Sequence, residues 1–285
     1  MTTPLPVLCS QAAKDCGDDP AGTAATFSSF LLLRHPGPWS ANAAEDATGL
    51  LPPGTAAAVA ATSGLRAFAI RDVHPRRRSH PPAGYCGVNG PSGYVAPLRE
   101  ASDASVPPAR REALVGPLFA VCTNGRRDRC CAIVGRGVAV GLHAEFGDRV
   151  VEISHLGGHR YAGTMLVLPW GYAYGFLDLA GARAVVRAAD RGLVHPQGLR
   201  GRADLPPAAQ AADVPLRRDL GPAAPDAVLI RAVPAGHGDR VSVDASVLGE
   251  PVTVRLRRES GPTVGETLCG GKLFATGRWI RDQLD

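Results

Sequence analysis

The chain has 285 residues, 45% of them hydrophobic and 5% aromatic, with a formal net charge of +5. That length holds two modest domains with cores of their own, so neither a metal nor a disulfide is needed merely to fold it. The charge is mild, the runs Arg76-Arg77-Arg78 and Arg126-Arg127 are scattered without interleaved aromatics, and no apolar stretch nears the roughly eighteen residues of a span, so nucleic acid is a weak reading and no membrane partner is expected.

Taken in chain order, residues 1–22 read as polar and irregular. Phe30 to Arg34 is an apolar run ended by the H-P-G-P that begins at His35, the pattern of a buried strand. Thr55 to Thr62 is Ala-rich and helical, Leu65 to Val73 alternates as a half-buried strand, and Gly93 to Leu98 is a candidate neighbour. Pro117 to Cys122 reads as a buried strand that delivers Cys122 at its end. Ala132 to Phe146 is a helix stopped by Gly147. Strands come next at Arg149 to Ser154, Thr164 to Leu168 and Tyr172 to Asp178, then a helix over Ala180 to Asp190. The order β-α-β-β-β-α describes a compact α/β layer with loops at the carboxyl ends of its strands. Residues 191–225, rich in Pro, Ala, Gly and Arg, read as a linker. Three strands (Val228 to Val233, Val241 to Ala245, Pro251 to Arg257) and a helix over Leu273 to Leu284 complete the chain.

Chemistry concentrates in two motifs about thirty residues apart, C-T-N-G-R-R-D-R-C-C (Cys122 to Cys131) and I-S-H-L-G-G-H-R-Y-A-G (Ile153 to Gly163). Thiolate and imidazole are the ligands that select zinc, copper or iron–sulfur clusters. Eight residues separate Cys122 from Cys131, wide for a zinc knuckle, whose pairs lie about two to four apart. Thr123, Asn124 and the loop amides are candidate donors to cluster sulfides, and Arg126, Arg127 and Arg129 offset sulfur charge. His155 and His159 are four apart, with Gly157 and Gly158 between them arguing for a loop. Spacing does not choose between Cys130 and Cys131. Cys9, Cys16, Cys86 and Cys269 show no ligand spacing and read as buried or incidental thiols, and Asp128 as an ion-pair partner of a nearby Arg. Seven cysteines without an export signal read as thiols or ligands in a cytoplasmic protein.

At these residues, and at the G-T-A…F-L-L-L-R-H-P-G-P-W stretch from Gly22 to Trp39, the chain resembles the sucrase/ferredoxin-like family over roughly residues 5–190. The resemblance implies a thioredoxin-like ferredoxin domain and a [2Fe–2S] cluster. Carried over, its ligands are Cys122, Cys131, His155 and His159, which settles Cys131 over Cys130 by analogy. The expected organisation is a smaller α/β domain over residues 1–112, either a partner-docking module or a degenerate copy of the same fold. The ferredoxin domain occupies 113–190, and a linker with a β-rich C-terminal appendage 191–285.

The expected function is electron transfer, proton-coupled through the two imidazoles, with an unidentified redox protein as partner. The alternative is a zinc-binding structural or interaction module using the same four residues. Glycoside hydrolysis needs two carboxylates flanking a sugar, and Glu145, Glu152 and Asp178 form no such pair. A dithiol exchanger would carry C-x-x-C, which is absent.

Overall fold

The computed structural model describes residues 7–35, 37–74, 82–105, 112–233, 239–265, 267 and 273–282. Cys269, His80, His237 and the Arg76–Arg78 run lie outside them. The elements are α1 (Cys9–Asp15), β1 (Ser29–Arg34), α2 (Ala43–Thr48), α3 (Pro53–Ala61), β2 (Leu65–Asp72), β3 (Gly84–Val88), β4 (Tyr94–Leu98), β5 (Leu118–Cys122), α4 (Arg136–Phe146), β6 (Val150–Ile153), β7 (Met165–Leu168), β8 (Tyr172–Tyr174), α5 (Leu179–Asp190), β9 (Leu199–Arg202), α6 (Pro207–Leu220), β10 (Val228–Ala232), β11 (Arg240–Val247), β12 (Glu250–Val264) and β13 (Phe274–Arg281).

Nine strands form one sheet in the order β4-β3-β1-β2-β6-β5-β7-β8-β9. In the second half β5 runs parallel to β6 and antiparallel to β7, which pairs with β8. That strand order, with α4 as crossover and α5 after the last hairpin, is thioredoxin-like. The first half repeats it: β1 is parallel to β2 and antiparallel to β3, which pairs with β4. The halves join through antiparallel β2 and β6, which overlap only at their C-terminal ends, from Ile70↔Ile153 to Asp72↔Val151. This stagger brings together loops that leave both halves.

At the centre of the sheet, local structure comes directly from the sequence. Phe30 to Leu33 are buried with neighbours on both faces, so β1 is a continuous apolar run rather than an alternating one. Asp178 caps α5 by accepting from the Gly181 N–H at 2.7 Å, and the helix turns Ala182, Val185, Val186 and Ala189 onto the core. Gly135, where a wide π turn (Cys131–Gly135) runs into α4, permits close approach: a Cβ there would clash with the Cys122 carbonyl oxygen.

Three expectations are corrected. Residues 191–225 are no linker: β9 extends the sheet, and α6 is wedged between it and the second sheet, β10-β11-β12-β13. Ala209 to Val214 are all buried, Val214 facing the large core while Ala211, Ala212 and Leu216 face Val243, Val254 and Leu256. A helix covered on most sides loses its polar face and with it the periodic signal. The buried Asp213–Arg217 pair, 3.1 Å apart, gives the segment a polar look in sequence. The segment at Leu273 is likewise no helix: β13 pairs with β12, and Gly277, opposite Ser260, leaves no room for a Cβ against the Glu259 carbonyl at 2.9 Å. Finally, residues 9–15 form α1 instead of irregular chain.

Candidate metal centre

Cys122 ends β5 opposite Ile153, the end of β6, so both motif loops leave the same edge of the sheet. The backbone locks this in: the Cys122 N–H donates to the Thr164 carbonyl at 3.0 Å and the Thr123 N–H to the Ile153 carbonyl at 3.3 Å. Asn124, buried, folds the loop by accepting from the Arg126 and Arg127 N–H groups at 3.1 and 3.2 Å. Its amide donates to the Ser40 carbonyl at 3.0 Å, and Thr123 donates its hydroxyl to Glu152 at 3.0 Å. Their expected role as donors to sulfides is therefore corrected: both side chains build the loop. Glu152, fully buried, also pairs with Arg71 and Arg136.

Three of the four sequence-predicted ligands come together. The Cys131 thiol hydrogen-bonds the Cys122 sulfur, and His155 and the Leu156 N–H reach the same atom. The Cys131 bond, with help from His155, holds the Cys122 thiol well below the usual thiol range against burial that opposes it. The same bond, with burial added, pushes Cys131 upward. Both sulfurs are buried, and His155 keeps a buried Nδ1 with no hydrogen-bond partner.

His159 opens the next turn after Gly158, whose φ is 67° and where a Cβ would meet Arg200 Nη2 at 2.4 Å. Its Nδ1 lies 2.8 Å from Asp128 Oδ2 and 3.3 Å from Cys9 Sγ. Cys9 in turn sits 3.0 Å from Cys130 Sγ, and Asp128 Oδ1 accepts from the Cys130 N–H at 2.8 Å. Ligand atoms of Cys9, Asp128 and Cys130 all fall within 4.8 Å of one another, a metal-capable group. Asp128, expected beside an arginine, is thus bound into the site through His159, and Cys9 is no incidental thiol. His155 and His159 line one cleft of about 280 Å³ together with Cys9, Arg127, Asp128 and Phe274. Phe274, on β13, makes the appendage one wall of the site.

Beneath the loops lies Arg200, fully buried, which donates to the Gly157 carbonyl at 2.9 Å and to Thr23 Oγ1 at 3.2 Å. Burial lowers its guanidinium to about 10, while the charges of Tyr161, Cys122 and Cys131 oppose that fall. Nothing in L-R-G-R distinguishes this Arg by spacing, so sequence reasoning passes over it. The carboxylates weighed for hydrolysis are committed elsewhere: Glu145 to Arg183 and Arg187, Glu152 to its buried network and Asp178 to the α5 cap.

Fold and site together define a thioredoxin-like α/β protein with thiol and imidazole groups gathered at strand ends. Residues 20–201 match the sucrase/ferredoxin-like family, and the chain belongs to it. Curated proteins and solved structures give no significant match. Among the described residues no helix is long and apolar enough to cross a membrane.

Proposed function

We propose that Cys122, Cys131, His155 and His159 hold a [2Fe–2S] cluster and that the protein carries single electrons between redox partners. The observation that carries this is the shared Cys122–Cys131–His155 contact, together with the cleft that His155 and His159 both line. Bound there, the cluster would supply one-electron transfer at roughly −150 to +300 mV, the range of two-histidine sites, against about −400 mV for plant-type all-thiolate ferredoxins.

The chain's own groups suit that role. Asp128 accepts from His159 Nδ1 and so turns Nε2 outward as the free ligand atom, the carboxylate–histidine arrangement of metal sites. The orphan His155 Nδ1 is a ring nitrogen that a metal or a water at the cleft would satisfy. Arg200 offsets thiolate charge from below. Arg127 borders the cleft, and it and its chain neighbours Arg126 and Arg129 are exposed and fit an acidic redox protein as partner. The described cysteines form no disulfide, which suits a reducing, cytoplasmic setting.

The test is iron, zinc and acid-labile sulfide analysis of anaerobically purified protein, with its potential followed against pH. Iron and sulfide in equal amounts, and a potential that falls as pH rises through proton uptake at the imidazoles, are expected. A colourless protein holding zinc without sulfide would sink the proposal in favour of a structural zinc module.

A further inference from the structure

We propose that Cys9 and Cys130 are a redox modification site: a thiol pair that closes to a reversible disulfide and fastens α1 to the ligand loop. The two sulfurs are 3.0 Å apart although they lie 121 positions apart in sequence, and both are buried. The contact does not rest on a loose terminus. Just after α1, Asp18 accepts from the Gly277 N–H at 2.9 Å and pairs with Arg160 at 2.9 Å. Asp19 holds Arg218 through two bonds of 2.8 and 2.7 Å. On the other side Asp128 fixes the Cys130 backbone. Leu8, Val134, Ala162 and Phe274 pack around the pair.

Distance also separates a disulfide from the competing reading, a mononuclear metal held by Cys9, Asp128 and Cys130. Two thiolates on a tetrahedral zinc lie about 3.8 Å apart, the edge set by Zn–S bonds of about 2.3 Å. The observed 3.0 Å is already inside that edge, and closing to the roughly 2.05 Å of an S–S bond needs a shift of about 1 Å.

Access gives the two sulfurs different parts. Cys9 lines the cleft beside Arg127, whereas Cys130 is not among the described residues that border it. In the proposed exchange Cys9 attacks an external low-molecular-weight disulfide, breaking its S–S bond and releasing one thiol. Cys130 then attacks the Cys9 mixed disulfide, forming the internal bond and releasing the second thiol. The two protein thiol protons leave on the two released thiols. Two electrons pass to the external disulfide; Cys9 gives up its 3.3 Å contact with His159 Nδ1, which keeps Asp128 at 2.8 Å, and none of the four proposed ligands is consumed in the step.

The test titrates full-length protein, as isolated, with oxidised glutathione and maps peptides without reduction. A Cys9–Cys130 link is expected that disappears in Cys9→Ala and Cys130→Ala and persists in Cys131→Ala. Fragment ions that separate Cys130 from Cys131 make the same assignment on the unmutated chain, should a variant fail to fold. A link to Cys122 or Cys131, a glutathione adduct that stays on Cys9, or a zinc ion lost only when Cys9 or Cys130 is replaced would overturn the inference. A link formed in protein that holds no iron supports it while removing the cluster proposal.

Discussion

β1 and β5 hold equivalent places in two halves of one sheet, with the same strand order and the same parallel partner arrangement. The loops that leave them differ. After β5 the loop carries Asp128, Cys130 and Cys131; after β1 the chain runs through H-P-G-P to a buried Trp39, on which Arg71 stacks 4.3 Å from the ring centroid. The loop after β1 offers backbone where the loop after β5 carries thiols and a carboxylate: the Ser40 and Ala41 carbonyls accept from Asn124 and Arg127 at 3.0 and 3.3 Å. A shared topology thus fixes where chemistry can sit, and the loop composition decides whether any does. One half carries the proposed ligands and the other braces their loop.

The sharpest break in that comparison is a cysteine in each half. Cys122→Ser is expected to abolish bound iron, whereas Cys86→Ser, in buried β3, leaves iron per folded molecule unchanged; metal analysis of both proteins decides. Next in size, Leu33→Ala empties part of the first half's own core, where Leu33 packs with Leu31, Cys86, Ala96 and Leu98. It is expected to lower unfolding free energy by about 2–5 kcal/mol in denaturant titration while the visible spectrum stays that of wild type. A spectrum lost along with stability would mean the halves are not separable in this way. Smaller still is the brace: Asn124→Ala leaves the Ser40 carbonyl and two loop amides unserved, at about 1–3 kcal/mol. Hydrogen exchange at Arg126 and Arg127 should rise with it.

The smallest effect is a titration. In metal-free protein the Cys131 hydrogen bond keeps the Cys122 thiol low, so Cys131→Ala removes the main cause and leaves burial to act. The sign is upward: thiolate absorbance from Cys122 should need a higher pH in the variant, and an unmoved midpoint would show that Cys131 is not its partner.

Much of this was legible because central strands state themselves. β1, β5 and β7 are short apolar runs between turn residues, β6 is one interrupted only by Glu152, and Asp178 and Gly147 mark helix boundaries by their own chemistry. Cys122, Cys131 and His155 lie near strand ends that are visible in sequence. The rest depends on long-range partners. Cys9 lies too far from Cys130 for any spacing rule, and α1 is seven residues without an N-cap hydrogen bond. α6 hides because burial on several sides erases amphipathic period, and Arg200 because its role is made by Thr23 and Gly157, neither near it in the chain. In the N-terminal half, expected as either a docking module or a degenerate copy of the fold, the strand that sequence does not announce is β3, G-Y-C-G-V, whose Gly84 and Gly87 dilute its strand signal yet leave room for Leu32 and Tyr94 backbone.

The most direct measurement is nitrogen hyperfine spectroscopy on the reduced, anaerobically purified protein beside His155→Cys and His159→Cys. Two imidazole nitrogen couplings are expected in the unmutated protein, with one of them missing from each variant and the paramagnetic signal retained in both. A signal without imidazole coupling, or couplings that neither substitution alters, would contradict ligation by Cys122, Cys131, His155 and His159.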